Sequence, residues 1–207
     1  MTTVDKITQI HFILDRSGSM YEILGDTIGG FNSFIQSQQN DQNGECFMNL
    51  YQFDHEYQIV YQNKPIKEVE MLTEKTFMPR GQTALLDAIG RTVSCVSVDT
   101  KETNNIVVIL TDGYENSSIE FTYKKVTEII EKKEKDGWKF VFLGANQDAI
   151  KTAGGLGINQ NSAMTYAQTP KNVNACFRGL SDAISRTRSG ENERVSFTEN
   201  ERLSSKE

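Results

Sequence analysis

An apolar segment that stops abruptly at Asp15 constrains the possible folds of this chain more than any other feature. The segment at residues 10–14, IHFIL, is almost continuously apolar, as is typical of a parallel strand buried on both faces. Asp15, Ser17 and Ser19 then place a carboxylate and two hydroxyls at alternate positions, and Gly18 permits a tight turn. Because open α/β sheets bind ligands at the carboxyl ends of their strands, this loop is a candidate site.

Strand and helix patterns alternate along the rest of the chain. Strands are predicted at residues 7–14, 46–53, 57–61, 106–110, 138–143 and 162–167, and helices at 20–38, after Thr83 through Val96, at 121–136, 149–157 and from Pro170 onward. This alternation predicts an α/β fold: a Rossmann-like, doubly wound, mostly parallel central sheet with helices on both faces and right-handed crossovers. The tight connection through residues 54–56 predicts a hairpin, and hence one antiparallel edge strand.

The length of 207 residues suits one domain with a sizeable core. We assign that domain to residues 1–188. Residues 189–207 have little apolar content, which predicts a polar, flexible C-terminal tail.

The residue types in the Asp15 loop indicate a site for a hard cation. Magnesium prefers oxygen ligands and usually takes only one or two carboxylates from the protein. Asp15, Ser17 and Ser19 form half of such a shell, and two later segments can supply the rest. These are Thr83 in GQTALLDAIG and Asp112 after the apolar strand VVILT.

This set of motifs resembles the metal-ion-dependent adhesion site of von Willebrand factor A domains, also called integrin I-like domains, over roughly residues 5–187. The resemblance implies the von Willebrand factor A fold and a bound Mg²⁺, with Mn²⁺ as an alternative. It also implies that an acidic residue of a partner protein completes the metal shell. Stand-alone members without a signal sequence resemble cytosolic adaptor proteins encoded by bacteria or phages. We expect Arg16, Tyr114 and Glu115 to form the partner-binding rim.

Two other classes of function remain open from the residues. A Mg²⁺-dependent phosphoesterase or hydrolase needs a positioned base, and usually Lys or Arg to clamp phosphate. Near the motifs stand only Arg16 and Arg80, and Glu115 has no evident orienting partner in the sequence, so we predict a binding module and no enzyme. A purely structural domain with an unused site is the third class. The intact motif argues against it.

Several other polar residues have simpler interpretations than metal ligation. His11 lies inside a strand and is predicted to be a core or edge histidine with a hydrogen-bonded ring. Asp54 and His55 fit a hairpin turn. Asp87 falls in the first turns of a helix, where it can complement the helix dipole. The glycine cluster at residues 154–157 follows a helical segment, which disfavours a phosphate-binding loop.

Composition limits the classes of binding partner and the cellular compartment that we expect for this protein. A formal net charge of -6 and a pI of about 5.1 disfavour a nucleic-acid surface. No apolar run approaches the ~20 residues of a membrane span. The first ten residues lack a signal-peptide pattern, and Cys46, Cys95 and Cys176 lie among apolar neighbours, which predicts reduced, buried thiols. We therefore expect a cytoplasmic protein.

Overall fold

Within residues 7–96, 103–145 and 149–206, which the computed structural model describes, six strands form one sheet. The strands are β1 (Ile7–Asp15), β2 (Cys46–Phe53), β3 (Tyr57–Pro65), β4 (Thr103–Thr111), β5 (Lys139–Ala145) and β6 (Ala163–Tyr166). Their order is β3-β2-β1-β4-β5-β6, and every neighbouring pair is parallel except β2 with β3. The predicted mostly parallel sheet with one antiparallel edge strand is confirmed.

Helices cover both faces of the sheet. They are α1 (Leu24–Asn40), α2 (Leu85–Cys95), α3 (Tyr123–Lys135), α4 (Ala149–Gly155), α5 (Pro170–Arg188) and α6 (Glu199–Ser204). One apolar cluster joins α1 and α5 to the sheet through residues such as Phe31 and Leu180, and a second joins α2 and α3 through residues such as Ile89 and Ile130. The doubly wound arrangement is therefore confirmed. None of the helices among the described residues has the length and apolar character needed to cross a membrane.

The first helix begins later than its apolar periodicity predicts. A 3-10 helix occupies Gly18–Ile23, and regular α-helix starts only at Leu24. The Met20 amide donates to the Ser17 carbonyl at 3.1 Å, which keeps this segment tightly wound. The tighter winding brings the Ser17 and Ser19 hydroxyls within 3.2 Å of each other.

The core of the sheet accommodates one histidine. His11 is buried on β1, its Nε2 lies 3.2 Å from Oδ1 of Asn105, and its ring stacks on Trp138 at a centroid distance of 5.5 Å. The interpretation of His11 as a hydrogen-bonded core residue is confirmed. Burial lowers the pKa of His11 to about 4, so the ring is neutral at physiological pH.

The C-terminal segment differs from the flexible tail predicted for residues 189–207. Val195 and Phe197 are buried in the same apolar cluster as α1 and α5. Thr198 and Glu201 form a capping box at the start of α6, and Arg186 donates two hydrogen bonds to Glu201 at 2.9 and 3.1 Å. This segment has few apolar residues, yet it packs on the fold. Two of its apolar side chains are buried in the core, and its polar side chains form hydrogen bonds with α5 and within α6.

Candidate metal centre

The sheet brings the predicted site residues to one edge. Leu14 of β1 lies opposite Leu110 of β4, so both strands end at the same level, in Asp15 and in Thr111–Asp112. Strand order reverses at this point, since β2 lies on one side of β1 and β4 on the other. The site is therefore at the topological switch point where α/β sheets place ligands.

Asp15 is the buried centre of the site. Its carboxylate accepts hydrogen bonds from the Thr111 hydroxyl at 2.5 Å and from the Ser17 amide at 2.6 Å. Burial raises the pKa of Asp15 to about 7, although these hydrogen bonds act in the opposite direction. A nearby cation would offset this cost of desolvation.

A chain of hydrogen bonds links the Asp15 loop to the loop after β4. The hydroxyls of Ser17 and Ser19 lie 3.2 Å apart, and Ser19 Oγ donates to Oδ1 of Asp112 at 2.6 Å. Oδ2 of Asp112 accepts from Gln168 Nε2 at 2.9 Å. Partial burial raises the pKa of Asp112. Four of the five predicted metal ligands are thus connected, directly or through one neighbour.

Thr83 completes the group through close packing against Gly113. A Cβ on Gly113 would lie 2.9 Å from Thr83 Oγ1 and 3.6 Å from Ser19 Oγ, so only glycine leaves this space free. The Thr83 backbone is fixed by Asn116, which accepts from the Thr83 amide at 2.9 Å and donates to its carbonyl at 3.1 Å.

The donors fit a hard divalent cation. Every donor in the group is oxygen: two carboxylates and three hydroxyls. The described residues contain no cluster of three or more His, Cys, Asp or Glu side chains suited to a metal. A cation site here would therefore depend on neutral oxygens as much as on carboxylates.

Glu115, predicted for the partner-binding rim, is half-buried, and hydrogen bonds engage its carboxylate. Its carboxylate accepts from the Leu86 amide at 2.9 Å, the Ser117 amide at 2.9 Å, and the amide and hydroxyl of Ser118, both at 2.7 Å. It therefore caps the N-terminus of α2, where a carboxylate also complements the helix dipole. This role lies beyond what local sequence showed, because the capped helix amide, that of Leu86, is 29 residues away in the sequence.

Asp87 braces the same loop from the helix side. Its carboxylate accepts from the amides of Ile119, Glu120 and Phe121 at 2.8 to 2.9 Å. Helix α2 and the loop after β4 are thus bound to each other in both directions. The loop that carries Asp112 is consequently attached to α2 at both ends of the contact.

Arg16, the second residue predicted for the partner-binding rim, is largely buried. It is only 8% exposed, and its Nε donates to Oδ2 of Asp54 while its Nη1 donates to Gln58 at 2.5 Å. Asp54 does form the predicted turn, since its Oδ1 accepts from the Glu56 amide at 2.6 Å. It is also the buried anchor of an ion-pair cluster that the turn interpretation missed. Its position directly after β2, beside β1, is the signal that could have revealed this.

Of the three predicted rim residues, Tyr114 alone is exposed, at 67%. Gln168, by contrast, contacts Asp112 without having been predicted at the site. It lies in the connection between β6 and α5, and nothing in the local pattern of that segment distinguishes it.

Comparisons with known proteins identify the family and similar folds. The family model described as von Willebrand factor type A domain matches residues 9–177. The fold is similar to that of proximal thread matrix protein 1 from the mussel byssus, solved with a zinc occupied MIDAS motif. That match has a TM-score of 0.60 and 15% identity, and covers 92% of this chain and 47% of the mussel chain.

Two bacterial pilus proteins have a similar fold. The pilus adhesin SpaC of Lactobacillus rhamnosus GG matches with a TM-score of 0.69 and 15% identity over 89% of this chain and 31% of SpaC. The vWF domain of the type V pili tip protein Mfa5 of Porphyromonas gingivalis matches with a TM-score of 0.58 and 12% identity over 88% of this chain and 96% of that one. This chain thus spans less than half of the mussel and SpaC chains. A search of curated proteins found no match.

Proposed function

Because this chain belongs to the von Willebrand factor type A domain family, we propose that it is a metal-dependent protein-binding module that captures an acidic side chain of a partner protein. The metal would be Mg²⁺, with Mn²⁺ as an alternative, and its ligands would be Asp15, Ser17, Ser19, Thr83 and Asp112. The observation that carries the proposal is the convergence of these oxygens from three loops at the switch point of the sheet.

The chemistry of the donors favours recruitment of an external anion. Three of the five proposed ligands are neutral hydroxyls. The carboxylate of Asp112 also accepts hydrogen bonds from Ser19 and Gln168. A divalent ion bound by so few carboxylates would retain positive charge and supply an acceptor site for an outside carboxylate. The partner's acidic side chain would then be held by charge as well as by shape.

The related structures support a metal at this position and a role in adhesion. The mussel protein carries zinc in its MIDAS motif, and the SpaC relative is a pilus adhesin. We extend to this chain the divalent metal and the protein-binding role. We propose Mg²⁺ in place of zinc because hydroxyl and carboxylate oxygens suit a harder ion.

The polar groups beside the site favour binding over catalysis. Glu115, the candidate general base, accepts four hydrogen bonds that hold α2 and its loop, and Arg16 is committed to Asp54 and Gln58. Neither is therefore poised to move a proton or clamp a phosphate. Generic phosphoesters should show no Mg²⁺-dependent turnover that Asp15→Ala abolishes.

We also propose that the protein works in the cytoplasm. Cys46, Cys95 and Cys176 are free thiols, which suits a reducing compartment. Cys46 and Cys176 are buried as predicted, whereas Cys95 is exposed. Fractionation of the native cells should recover the protein in the cytoplasmic fraction, and recovery in another fraction would contradict the proposal.

Calorimetric titration tests the metal site itself. We expect the wild type to bind one Mg²⁺ or Mn²⁺ per chain, and Ca²⁺ more weakly, because Ca²⁺ requires longer bonds and more ligands. Asp15→Ala should abolish binding. Asp182→Ala, which removes an exposed carboxylate on α5, is the matched control and should bind normally. Equal binding by both variants would refute the site.

Partner capture tests the function. A pull-down from native cell lysate should retain a partner in Mg²⁺ and lose it in EDTA. Thr83→Ala removes one neutral oxygen without changing the charge and should weaken capture, whereas Ser33→Ala, at an exposed position of α1, should not. Identical partners in all samples would show that the metal plays no part in recognition.

A further inference from the structure

Three large apolar side chains are exposed on the strand-to-helix connections that carry the proposed metal ligands. They are Tyr21, Met78 and Tyr114, with exposures of 71%, 62% and 67%, and we refer to them as the apolar rim. Single exposed apolar residues are ordinary on protein surfaces. These three, however, lie in the β1–α1, β3–α2 and β4–α3 connections, which hydrogen bonds join to one another.

Hydrogen bonds fix those three loops to one another. Tyr21 follows Ser19 by two residues, and Tyr114 follows Gly113, which packs against Thr83. Met78 precedes Arg80 by two residues. The Arg80 amide donates to the Arg16 carbonyl at 2.8 Å, and the Gly18 amide donates to the Gly81 carbonyl at 3.2 Å. The segments that carry the rim residues are therefore joined to the segments that carry the proposed metal ligands.

The charges near the rim do not favour a highly acidic partner. Arg16 and Arg80 both bind Oδ2 of Asp54 at 2.9 Å, and Arg80 also pairs with Glu56, so both cations already have carboxylate partners. Glu22, next to Tyr21, is exposed and carries negative charge. A second acidic residue in the partner would gain little from the paired arginines and would be repelled by Glu22.

We propose that the apolar rim selects a partner segment in which one acidic residue, destined for the metal, is flanked by large apolar side chains. This inference rests on the proposed function and specifies its partner. The metal would hold the carboxylate, while Tyr21, Met78 and Tyr114 would bury the flanking side chains and supply most of the discrimination between partners.

Two libraries of heptapeptides provide the test, one with a central Glu and one with a central Gln, each with randomised flanks. They are selected on the full chain with Mg²⁺ and, in parallel, with EDTA. We expect enrichment of the central-Glu library in Mg²⁺ only, with Phe, Leu, Tyr or Met next to the Glu. The triple variant Tyr21→Ser, Met78→Ser, Tyr114→Ser should bind the selected peptide about tenfold more weakly. Its Mg²⁺ affinity should remain unchanged.

Leu203→Ser is the matched control. Leu203 is 47% exposed on α6, so it resembles the rim residues in exposure without belonging to the rim, and the selected peptide should bind this variant normally. Enrichment of acidic or polar flanks in Mg²⁺, or unchanged binding by the triple variant, would overturn the apolar rim while leaving metal-dependent capture intact. Equal enrichment of the Glu and Gln libraries would overturn the proposed function, and this inference with it.

Discussion

Nε of Arg16 donates a hydrogen bond to Oδ2 of Asp54 at 2.9 Å, across 38 residues of sequence. The same oxygen accepts from Nε of Arg80, also at 2.9 Å. One buried carboxylate thereby ties the loop after β1 to the loop before α2. At Gly81, the positive φ of +67 and the His55 ring, 2.1 Å from where a Cβ would lie, show how closely these segments approach.

Asp54→Asn should therefore destabilise the fold strongly. Removing the charge leaves the buried Arg16 guanidinium without its counter-ion, which typically costs about 3 kcal/mol or more of unfolding free energy. Glu56→Gln changes only an exposed partner of Arg80 and should have little effect. Chemical denaturation of both variants measures the difference. Equal losses would show that the buried cluster is no more important than a surface ion pair.

Gly113→Ala should impair metal binding more than stability. The new methyl group would lie 2.9 Å from Thr83 Oγ1, so a proposed ligand must move. We expect a loss of Mg²⁺ affinity of about tenfold or more, since that ion demands near-ideal geometry. Gly29→Ala on α1, where a Cβ meets nothing within 4 Å, is the control. It should stabilise the protein by about 0.5–1 kcal/mol and leave metal binding unchanged.

His11 should make the protein less stable in mild acid. Its pKa is about 4 in the fold and 6.5 as a free side chain, so the unfolded chain takes up the proton first. The contribution of His11 to stability should therefore fall by about 3 kcal/mol as pH decreases from 6.5 to 4. His11→Phe keeps a ring against Trp138 and should remove this contribution. His55→Gln, at the half-exposed histidine, should not.

Comparing wild type with His11→Phe separates the contribution of His11 to the pH dependence of stability from that of Asp15. Burial raises the pKa of Asp15 to about 7, so this carboxyl stabilises the fold as pH falls through the same range. Denaturation in EDTA at a series of pH values, with wild type and His11→Phe side by side, cancels the Asp15 contribution. Parallel pH profiles would contradict the burial of a neutral His11.

The C-terminal segment should be needed for stability. Phe197→Ala removes a buried ring and should cost about 3–5 kcal/mol. Leu203→Ala, on the exposed side of α6, should cost little. Removal of residues 190–207 should lower the melting temperature by about 10 °C, at roughly 2–4 °C per kcal/mol for a chain of this length. An unchanged melting temperature after truncation would support the original prediction of a flexible tail.

Local sequence identified the candidate site because the site uses strand ends. Asp15 and Asp112 each follow an apolar run, and parallel strands that pair in register end at the same edge. The hairpin at β3, the neutral core His11 and the mostly parallel sheet likewise follow from periodicity, turn residues and an apolar setting. Each of these features depends on neighbours in the chain and on the regular geometry of a sheet.

The tertiary structure decided which polar side chains are free to contact a ligand or partner and which are engaged within the fold. Arg16, Glu115 and Gln168 are all polar residues on loops, yet Arg16 is buried against Asp54, Glu115 caps a distant helix and Gln168 contacts Asp112. Phe197 and Val195 likewise anchor a segment whose composition predicts flexibility. The sequence determined the fold and the edge of the sheet that carries the proposed ligands. Only the folded chain determined exposure and pairing, because a polar group takes whichever partner the fold brings within hydrogen-bond distance.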